Sequence, residues 1–160
     1  MRVLVTGGAG FIGSHTCVTL LEKGYEIVVI DSFINSYKKS LDRVVEIIKS
    51  KNKSTNISIE VLNADIRDEN TLVRCFSDAQ KSGNPIKAVL HFAGLKSVQE
   101  SILNPISYWD ANVNGSTKLL SVMDRFNCRT IVFSSSATIY GSGDEGVLFE
   151  NTVIKPINPY

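Results

Sequence analysis

A glycine-rich segment near the start of the chain constrains the fold more than any other feature. The sequence Thr6-Gly7-Gly8-Ala9-Gly10-Phe11-Ile12-Gly13 follows a short apolar run, residues 2–5, and opens a stretch with helical spacing, residues 12–23. In such a turn, one glycine takes the positive φ of a tight bend and another lets backbone N–H groups approach a pyrophosphate. Gly13 then allows the helix to pack closely on the strand. This pattern between a strand and a helix predicts a dinucleotide-binding turn.

Short apolar runs rich in β-branched residues alternate with helical stretches along the rest of the chain. Further strands are predicted over residues 26–30, 57–62, 88–92 and 130–133, and further helices over residues 41–49, 71–81 and 108–126. These alternations predict an α/β fold, a doubly wound parallel sheet of the NAD(P)-binding Rossmann type with strand order 3-2-1-4-5 and helices on both faces. Residues 50–56 and the segment after Tyr140 are predicted to be loops.

The composition argues against several classes of protein. The 160 residues carry 17 Lys and Arg against 16 Asp and Glu, and 43% are hydrophobic, which is typical of one globular domain. A net charge of +1 argues against binding to nucleic acid or an anionic membrane, and no segment approaches the roughly 20 apolar residues that span a bilayer. Three scattered cysteines predict reduced thiols in the cytoplasm, and two separated histidines predict that there is no metal site.

Two acidic residues follow predicted strands and are candidates for contacts with the nucleotide. Asp31 ends the second strand, where a carboxylate can accept hydrogen bonds from both hydroxyls of an adenosine ribose and would repel a 2′-phosphate. NAD is therefore favoured over NADP. The pair Asp65-Ile66 follows the third strand and has two compatible interpretations, in which Asp65 caps the next helix or the pair contacts the adenine.

The segment after the fourth strand contains small residues and a cation. In Phe92-Ala93-Gly94-Leu95-Lys96, the Ala-Gly pair leaves room for a bulky ligand and Lys96 places a positive charge beside it. His91 lies within an apolar run, so we expect a hydrogen-bonded core residue rather than a catalyst. Asn112, in a predicted helix, is expected to bond the backbone of strand four or five and so hold the site open.

Three consecutive hydroxyl groups follow the fifth strand. The residues Ser134, Ser135 and Ser136 stand where ligands bind in parallel sheets, and a serine hydroxyl can relay a proton to or from a sugar hydroxyl. A serine-hydrolase site is not predicted, because the chain has no Gly-x-Ser-x-Gly segment and no histidine after these serines.

Three segments together resemble the extended short-chain dehydrogenase/reductase family. These are residues 6–15, 91–101 and 133–141, and the resemblance extends over the whole chain. The two later segments resemble the nucleotide-sugar epimerases of that family rather than its dehydratases. The resemblance implies an NAD-dependent isomerase of galactose metabolism that interconverts UDP-galactose and UDP-glucose by oxidation at carbon 4, rotation of the 4-keto sugar and reduction. It also implies that the full-length protein is a homodimer.

The resemblance assigns roles residue by residue. Ser136 and Tyr160 would be catalytic, and Lys96, Ser136 and Tyr160 would contact the substrate. The residues implied to bind NAD are Gly7, Gly10, Phe11, Ile12, Gly13, Asp31, Ser32, Phe33, Ile34, Asn35, Ser36, Asp65, Ile66, Phe92, Ala93, Gly94, Leu95, Lys96, Asn112 and Ser134. The helices over residues 71–81 and 108–126 would be the candidates for the dimer interface.

The chain departs from the family pattern at three places. Gln99 stands where glycine is common, Ala111 stands where some members have asparagine, and the lysine expected four positions after Tyr160 would lie beyond the last residue. We therefore expect residues 1–160 to be an NAD-binding domain truncated on its C-terminal side, without a UDP-sugar domain and inactive alone. Two alternatives are a stand-alone NAD-binding module and an epimerase for another nucleotide sugar such as UDP-N-acetylglucosamine.

Overall fold

Five strands form one parallel sheet in the order β3-β2-β1-β4-β5 in the computed structural model, which describes residues 1–51, 57–141 and 146–160. Each neighbouring pair is parallel. The strands are β1 (Arg2–Thr6), β2 (Glu26–Asp31), β3 (Ile59–Asn63), β4 (Ile86–His91) and β5 (Thr130–Phe133). The predicted fold class and strand order are confirmed, and the largest difference in a strand's start is two residues, at β3 and β4.

Six α-helices connect or flank these strands. They are α1 (Phe11–Glu22), α2 (Lys38–Lys51), α3 (Glu69–Lys81), α4 (Val98–Leu103), α5 (Pro105–Trp109) and α6 (Gly115–Arg125). The predicted loop over residues 50–56 is wrong at its first two residues, which end α2, where Lys49 and Lys51 favour the negative end of the helix dipole. The rest of that loop, residues 52–56, and residues 142–145 lie outside the described residues. A short 3₁₀ helix, Ala137–Tyr140, follows β5.

The predicted single helix over residues 108–126 is wrong. Pro105 is the first residue of α5, a position where a missing N–H has no cost. Helix α5 passes directly into a π-helical segment, Asp110–Asn114, which is followed by α6. The wider turn of a π-helix shifts the side-chain register, which a search for 3.6-residue periodicity does not detect. Helix α4 was not predicted, because its six residues are too few to show a period.

Apolar side chains of the central strands alternate between two clusters, one on each face of the sheet. Leu4 packs with residues of α3 and α6, whereas Val3 and Val5 pack with residues of α1 and α2. The predicted arrangement of helices on both faces is thereby confirmed. In the described ranges β5 pairs only with β4. No helix there is long and apolar enough to cross a membrane.

Because all five strands are parallel, their carboxyl ends meet at one edge of the sheet.

Candidate functional site

The glycine turn between β1 and α1 has a backbone that only glycine accommodates. Gly7 has a φ of +68°, and a Cβ atom there would lie 2.6 Å from the backbone nitrogen of Ala93. A Cβ atom on Gly13 would lie 2.3 Å from the carbonyl oxygen of Gly7. The N–H groups in the first turn of α1 have no intrahelical partner, as in any α-helix, and no side chain caps them. The turn can therefore receive an anion at the N-terminus of α1.

Asp31 at the end of β2 is buried and holds this turn in place. Its Oδ2 atom accepts the N–H of Ala9 at 2.9 Å, and its Oδ1 atom accepts the N–H of Phe33 at 2.9 Å and the hydroxyl of Ser36 at 2.7 Å. A carboxylate has about four lone-pair positions, so one remains for a ligand. The sequence predicts that this carboxylate accepts from both ribose hydroxyls, whereas one acceptor position is open here, and it contains no signal of the role in joining two loops.

Two adjoining cavities run along the carboxyl ends of the strands and share Gly7, Gly10 and residues 92–96. The first is also lined by Ile30, Asp31, Ser32, Ile34, Asn35, Ser36, Ala64, Asp65, Ile66, Arg67 and Ala111. The second is also lined by Phe11, Ile12, Gly13, Asn112, Val113, Ser116, Phe133, Ser134, Ser135, Ser136, Ile139 and Tyr160. Together the two cavities form one groove, with Asp31 towards one end and Tyr160 towards the other.

The groove brings together every residue assigned from the sequence except one. Phe33, which has a φ of +55°, lines neither cavity and packs instead against the cluster between the sheet and helices α1 and α2. Among the residues that were missed, Ala64 and Arg67 flank the predicted pair Asp65-Ile66. Their position just after β3 is the signal that could have identified them.

The helix after β3 is capped by Asp68, so the predicted capping by Asp65 is wrong. Asp68 accepts the N–H of Thr71 at 3.2 Å, because α3 begins at Glu69, directly after Asp68, and not at Ile66, directly after Asp65. Asp65 instead accepts the backbone N–H of Arg67 at 2.8 Å and two N–H groups of its guanidinium at 3.0 and 2.7 Å. These bonds to Arg67 lower the pKa of the Asp65 carboxyl.

Asn112 bonds the loop after β4 and not a strand, so the predicted partner is wrong. Its Oδ1 atom accepts the N–H of Leu95 at 2.8 Å, and its Nδ2 atom donates to the Leu95 carbonyl at 2.9 Å. The difference arises because Asn112 lies in the π-helical segment, beyond the end of β4 at His91. This pair of bonds fixes the backbone of Leu95, and with it the loop from Gly94 to Lys96, at the point where the two cavities meet.

His91 is buried and takes part in a directed chain of hydrogen bonds, which confirms it as a core residue. Ser116 donates its hydroxyl to the Asn112 carbonyl and so accepts from Nε2 of His91 at 2.8 Å. Nδ1 is then unprotonated and accepts the hydroxyl of Thr6 at 2.6 Å. Burial lowers the pKa of His91 to about 4.

Protonation of His91 is expected to destabilise the fold below pH 6.5. The pKa is about 4 in the folded state and about 6.5 when unfolded, so the unfolded chain binds more protons between these values. The stability that neutral His91 contributes is therefore fully present above pH 6.5 and is lost as the pH falls towards 4. We expect the free energy of unfolding in urea to fall by about 2 kcal/mol between pH 7 and pH 5. His91→Gln should remove most of this loss, whereas His15→Gln, at an exposed position, should retain it; equal pH dependence in all three proteins would contradict the prediction.

Ser136 and Tyr160 are brought to the same end of the groove. Ser136 caps the 3₁₀ helix by accepting the N–H of Thr138 at 3.2 Å, and its hydroxyl lies 2.8 Å from that of Thr138. When Thr138 donates in this second contact, the hydroxyl hydrogen of Ser136 is available to a ligand. The N–H of Lys155 donates to the Ile139 carbonyl at 2.8 Å, which ties the segment that carries Tyr160 to the 3₁₀ helix.

In the described ranges, no group of three or more His, Cys, Asp or Glu side chains could hold a metal ion. The polar groups that line the groove are instead suited to an elongated ligand with a central anion. Backbone N–H groups lie at the glycine turn, a buried carboxylate lies at one end, two hydroxyl groups lie at the other, and Lys96 lies where the two cavities meet. Such an arrangement can bind a dinucleotide and move a proton beside it.

Comparison with known proteins shows a match over almost the whole chain. The family model described as GDP-mannose 4,6 dehydratase matches residues 4–160. A bifunctional UDP-glucose 4-epimerase and UDP-xylose 4-epimerase of Pisum sativum is 43% identical over 159 residues, which are 99% of this chain and 43% of that protein. UDP-glucose 4-epimerase of Bacillus subtilis is 43% identical over 160 residues, which are 100% of this chain and 44% of that protein.

Solved structures of nucleotide-sugar epimerases have the same fold. The crystal structure of UDP-glucose 4-epimerase from Bifidobacterium longum with NAD+ and UDP has a TM-score of 0.88 and 42% identity, over 100% of this chain and 44% of that one. The UDP-Glc/GlcNAc 4-epimerase of Campylobacter jejuni has a TM-score of 0.83 and 29% identity, over 99% of this chain and 44% of that one. The predicted resemblance to epimerases is confirmed, and the chain spans less than half the length of these relatives.

Proposed function

The chain belongs to the family described as GDP-mannose 4,6 dehydratase, and we propose that within it this chain is the NAD-binding domain of a longer UDP-glucose 4-epimerase. The proposed reaction is the interconversion of UDP-galactose and UDP-glucose. The observation that carries the proposal is the single groove that joins Asp31, the glycine turn and the pair Ser136 and Tyr160. The comparisons support it, because the similar proteins are epimerases by name and one was crystallised with NAD+ and UDP.

The groove fits NAD at three points. The absence of a Cβ atom at Gly7 and Gly13 lets the turn pack against Ala93 and lets α1 pack against the turn, so the free N–H groups at the start of α1 would hold the pyrophosphate. Asp65 and Ile66 line the end of the groove that would receive the adenine, and residues 92–96 line its middle. When bound, NAD supplies a reversible hydride acceptor for carbon 4 of the sugar.

Asp31 accounts for the proposed preference for NAD over NADP. Its carboxylate is buried and already accepts three hydrogen bonds, so its position is fixed and one acceptor site remains for a ribose hydroxyl. A 2′-phosphate at the same place would set two anions side by side in a partly desolvated site, where their repulsion is only weakly screened.

The residues at the other end of the groove would move the proton. In the proposed mechanism, an ionised Tyr160 takes the proton of the 4-hydroxyl, either directly or through the Ser136 hydroxyl, which receives that proton and passes its own to Tyr160. Thr138 supports this role because it can donate to Ser136 and so leave the serine hydrogen available to the sugar. Lys96 lines both cavities and would stabilise negative charge on the substrate.

An assay of the complete enzyme tests the proposal. UDP-galactose should be converted to UDP-glucose without net consumption of NAD, and bound cofactor released by denaturation should be NAD rather than NADP. UDP-N-acetylgalactosamine in a parallel reaction tests the wider substrate range suggested by the Campylobacter jejuni neighbour. We further propose that the 160-residue chain alone is inactive. Failure of the complete enzyme to interconvert any of these sugars would refute the assignment.

We also propose that a second copy of the protein covers an exposed apolar stripe along helices α4 to α6. Ile102, Ile106, Trp109 and Leu120 are large apolar side chains on these helices, and all four are exposed. The other predicted candidate, α3, has its apolar residues buried against the sheet. Ile106→Arg should give the mass of one copy in sedimentation, whereas Ile47→Arg on α2 should give the mass of two. A wild-type protein that sediments as one copy at micromolar concentration would exclude this interface.

A further inference from the structure

We propose that Asp110 is a positioning residue that holds the loop at Gly94–Lys96 in place for the nicotinamide half of NAD, through Arg67 and the π-helical segment. The inference rests on the proposed NAD site. Asp110 is the first residue of that segment and lines neither cavity. Its influence on a bound dinucleotide would therefore be indirect.

Arg67 joins Asp110 to the adenine end of the groove. Its Nη1 atom donates to Oδ2 of Asp110 at 2.8 Å, while Nε and Nη2 donate to the two oxygens of Asp65. The guanidinium is planar with a fixed fork of donors, so occupation of two edges by two carboxylates determines its orientation. The loop after β3 and the start of the π-helical segment are thereby held at a set separation.

A second contact fixes the far side of the same segment. The Nζ atom of Lys118, on α6, donates to the carbonyl oxygen of Arg67 at 2.8 Å. Asn112 lies between Asp110 and Lys118 along the chain and makes its paired bonds with Leu95. Because the π-helical segment is anchored on both sides, it has little freedom to move. Asn112 therefore holds the loop at Gly94–Lys96 at a defined distance from the adenine end.

The π-helical register is the second observation that points to such a role. π-helices are rare, occur mostly as single turns inside α-helices and are frequently found at functional sites. Here it directs Asn112 to the loop after β4 and also presents Asp110 to Arg67, two contacts made on different neighbours. The Arg67–Asp110 pair is partly exposed, so the ion pair by itself contributes little to stability and its role lies in orienting Arg67.

The test compares binding of NAD with binding of AMP, which occupies only the adenine end, by titration calorimetry on the full chain. Asp110→Ala should weaken NAD binding about fivefold and change AMP binding by less than about twofold. Removal of a negative charge would by itself strengthen binding of both anions, so weakening has the opposite sign to a long-range charge effect. Asp110→Asn, which retains an acceptor for Arg67, should give an intermediate value.

Asn114→Ala is the matched control. It removes a 3.1 Å bond to the other oxygen of Asp110 and leaves the contact with Arg67 intact, so both affinities should stay at the wild-type value. The double variant Arg67→Met with Asp110→Ala should bind NAD no more weakly than Arg67→Met alone. Equal losses for NAD and AMP, equal behaviour of Asp110→Ala and Asn114→Ala, or additive losses would each overturn the inference. A wild-type protein that binds no NAD would overturn the proposed function as well.

Discussion

Replacement of Gly13 by alanine is expected to abolish cofactor binding. The new Cβ atom would lie 2.3 Å from the carbonyl oxygen of Gly7 and 2.7 Å from the Cα atom of Gly8. Both are backbone atoms, so the clash is relieved only if α1 moves away from the turn that would hold the pyrophosphate. We expect NAD affinity to fall about 100-fold or more, which corresponds to about 2.8 kcal/mol, and thermal unfolding to show lower stability.

Helix propensity makes this prediction sharper. Alanine is about 1 kcal/mol more favourable than glycine inside a helix, so any loss arises from the contact with the turn. Thr19→Ala, on an exposed turn of the same helix, is the matched control and should bind NAD as the wild type does. Titration calorimetry gives the affinities, and circular dichroism establishes that each variant is folded at the measuring temperature. Binding by Gly13→Ala within about threefold of wild type would show that the turn is not the pyrophosphate site.

The sheet could be predicted from sequence because its strands are short, buried and separated by helices of ordinary period. Runs of β-branched residues such as those in β2 are read directly as parallel strands. Strand order followed from the glycine turn, which is typical of one topology. Helices α1 to α3 were located within three residues at each end for the same reason, since each places one apolar stripe on the sheet.

Residues at the ends of strands could be predicted from their position alone, whereas Tyr160 was assigned only through the family resemblance. Asp31, Asp65 and Ser136 lie at or just after such ends, and the groove contains all three. The contacts of Arg67 with Asp110 and of Asn112 with Leu95 join residues that are 43 and 17 positions apart. They depend on a π-helical register with no local sequence signal. Tertiary packing, and not propensity, decides such contacts.

The loss of the Tyr160 hydroxyl is expected to have the largest effect on activity. Tyr160→Phe in the complete enzyme should lower kcat for UDP-galactose about 1,000-fold, because proton transfer by a positioned side chain contributes about 100- to 10,000-fold. The ring still fills the same part of the cavity, so NAD affinity should stay unchanged. Ser136→Ala should also lower kcat. Its effect should be smaller if the serine relays a proton that Tyr160 can also remove directly.

Tyr140→Phe provides the matched control for this prediction, since Tyr140 is in the 3₁₀ helix beside the site but lines neither cavity. Its kcat should remain within about twofold of wild type if proximity alone has no catalytic role. Progress curves at saturating UDP-galactose, with NAD content measured on each purified variant, separate lost chemistry from lost cofactor. A Tyr160→Phe enzyme that keeps its NAD and also a third or more of its kcat would remove Tyr160 from the mechanism. In that case the Ser136 hydroxyl would be the remaining assigned group at that end of the groove to take the proton, and Lys96, where the two cavities meet, would stabilise the negative charge left on the substrate.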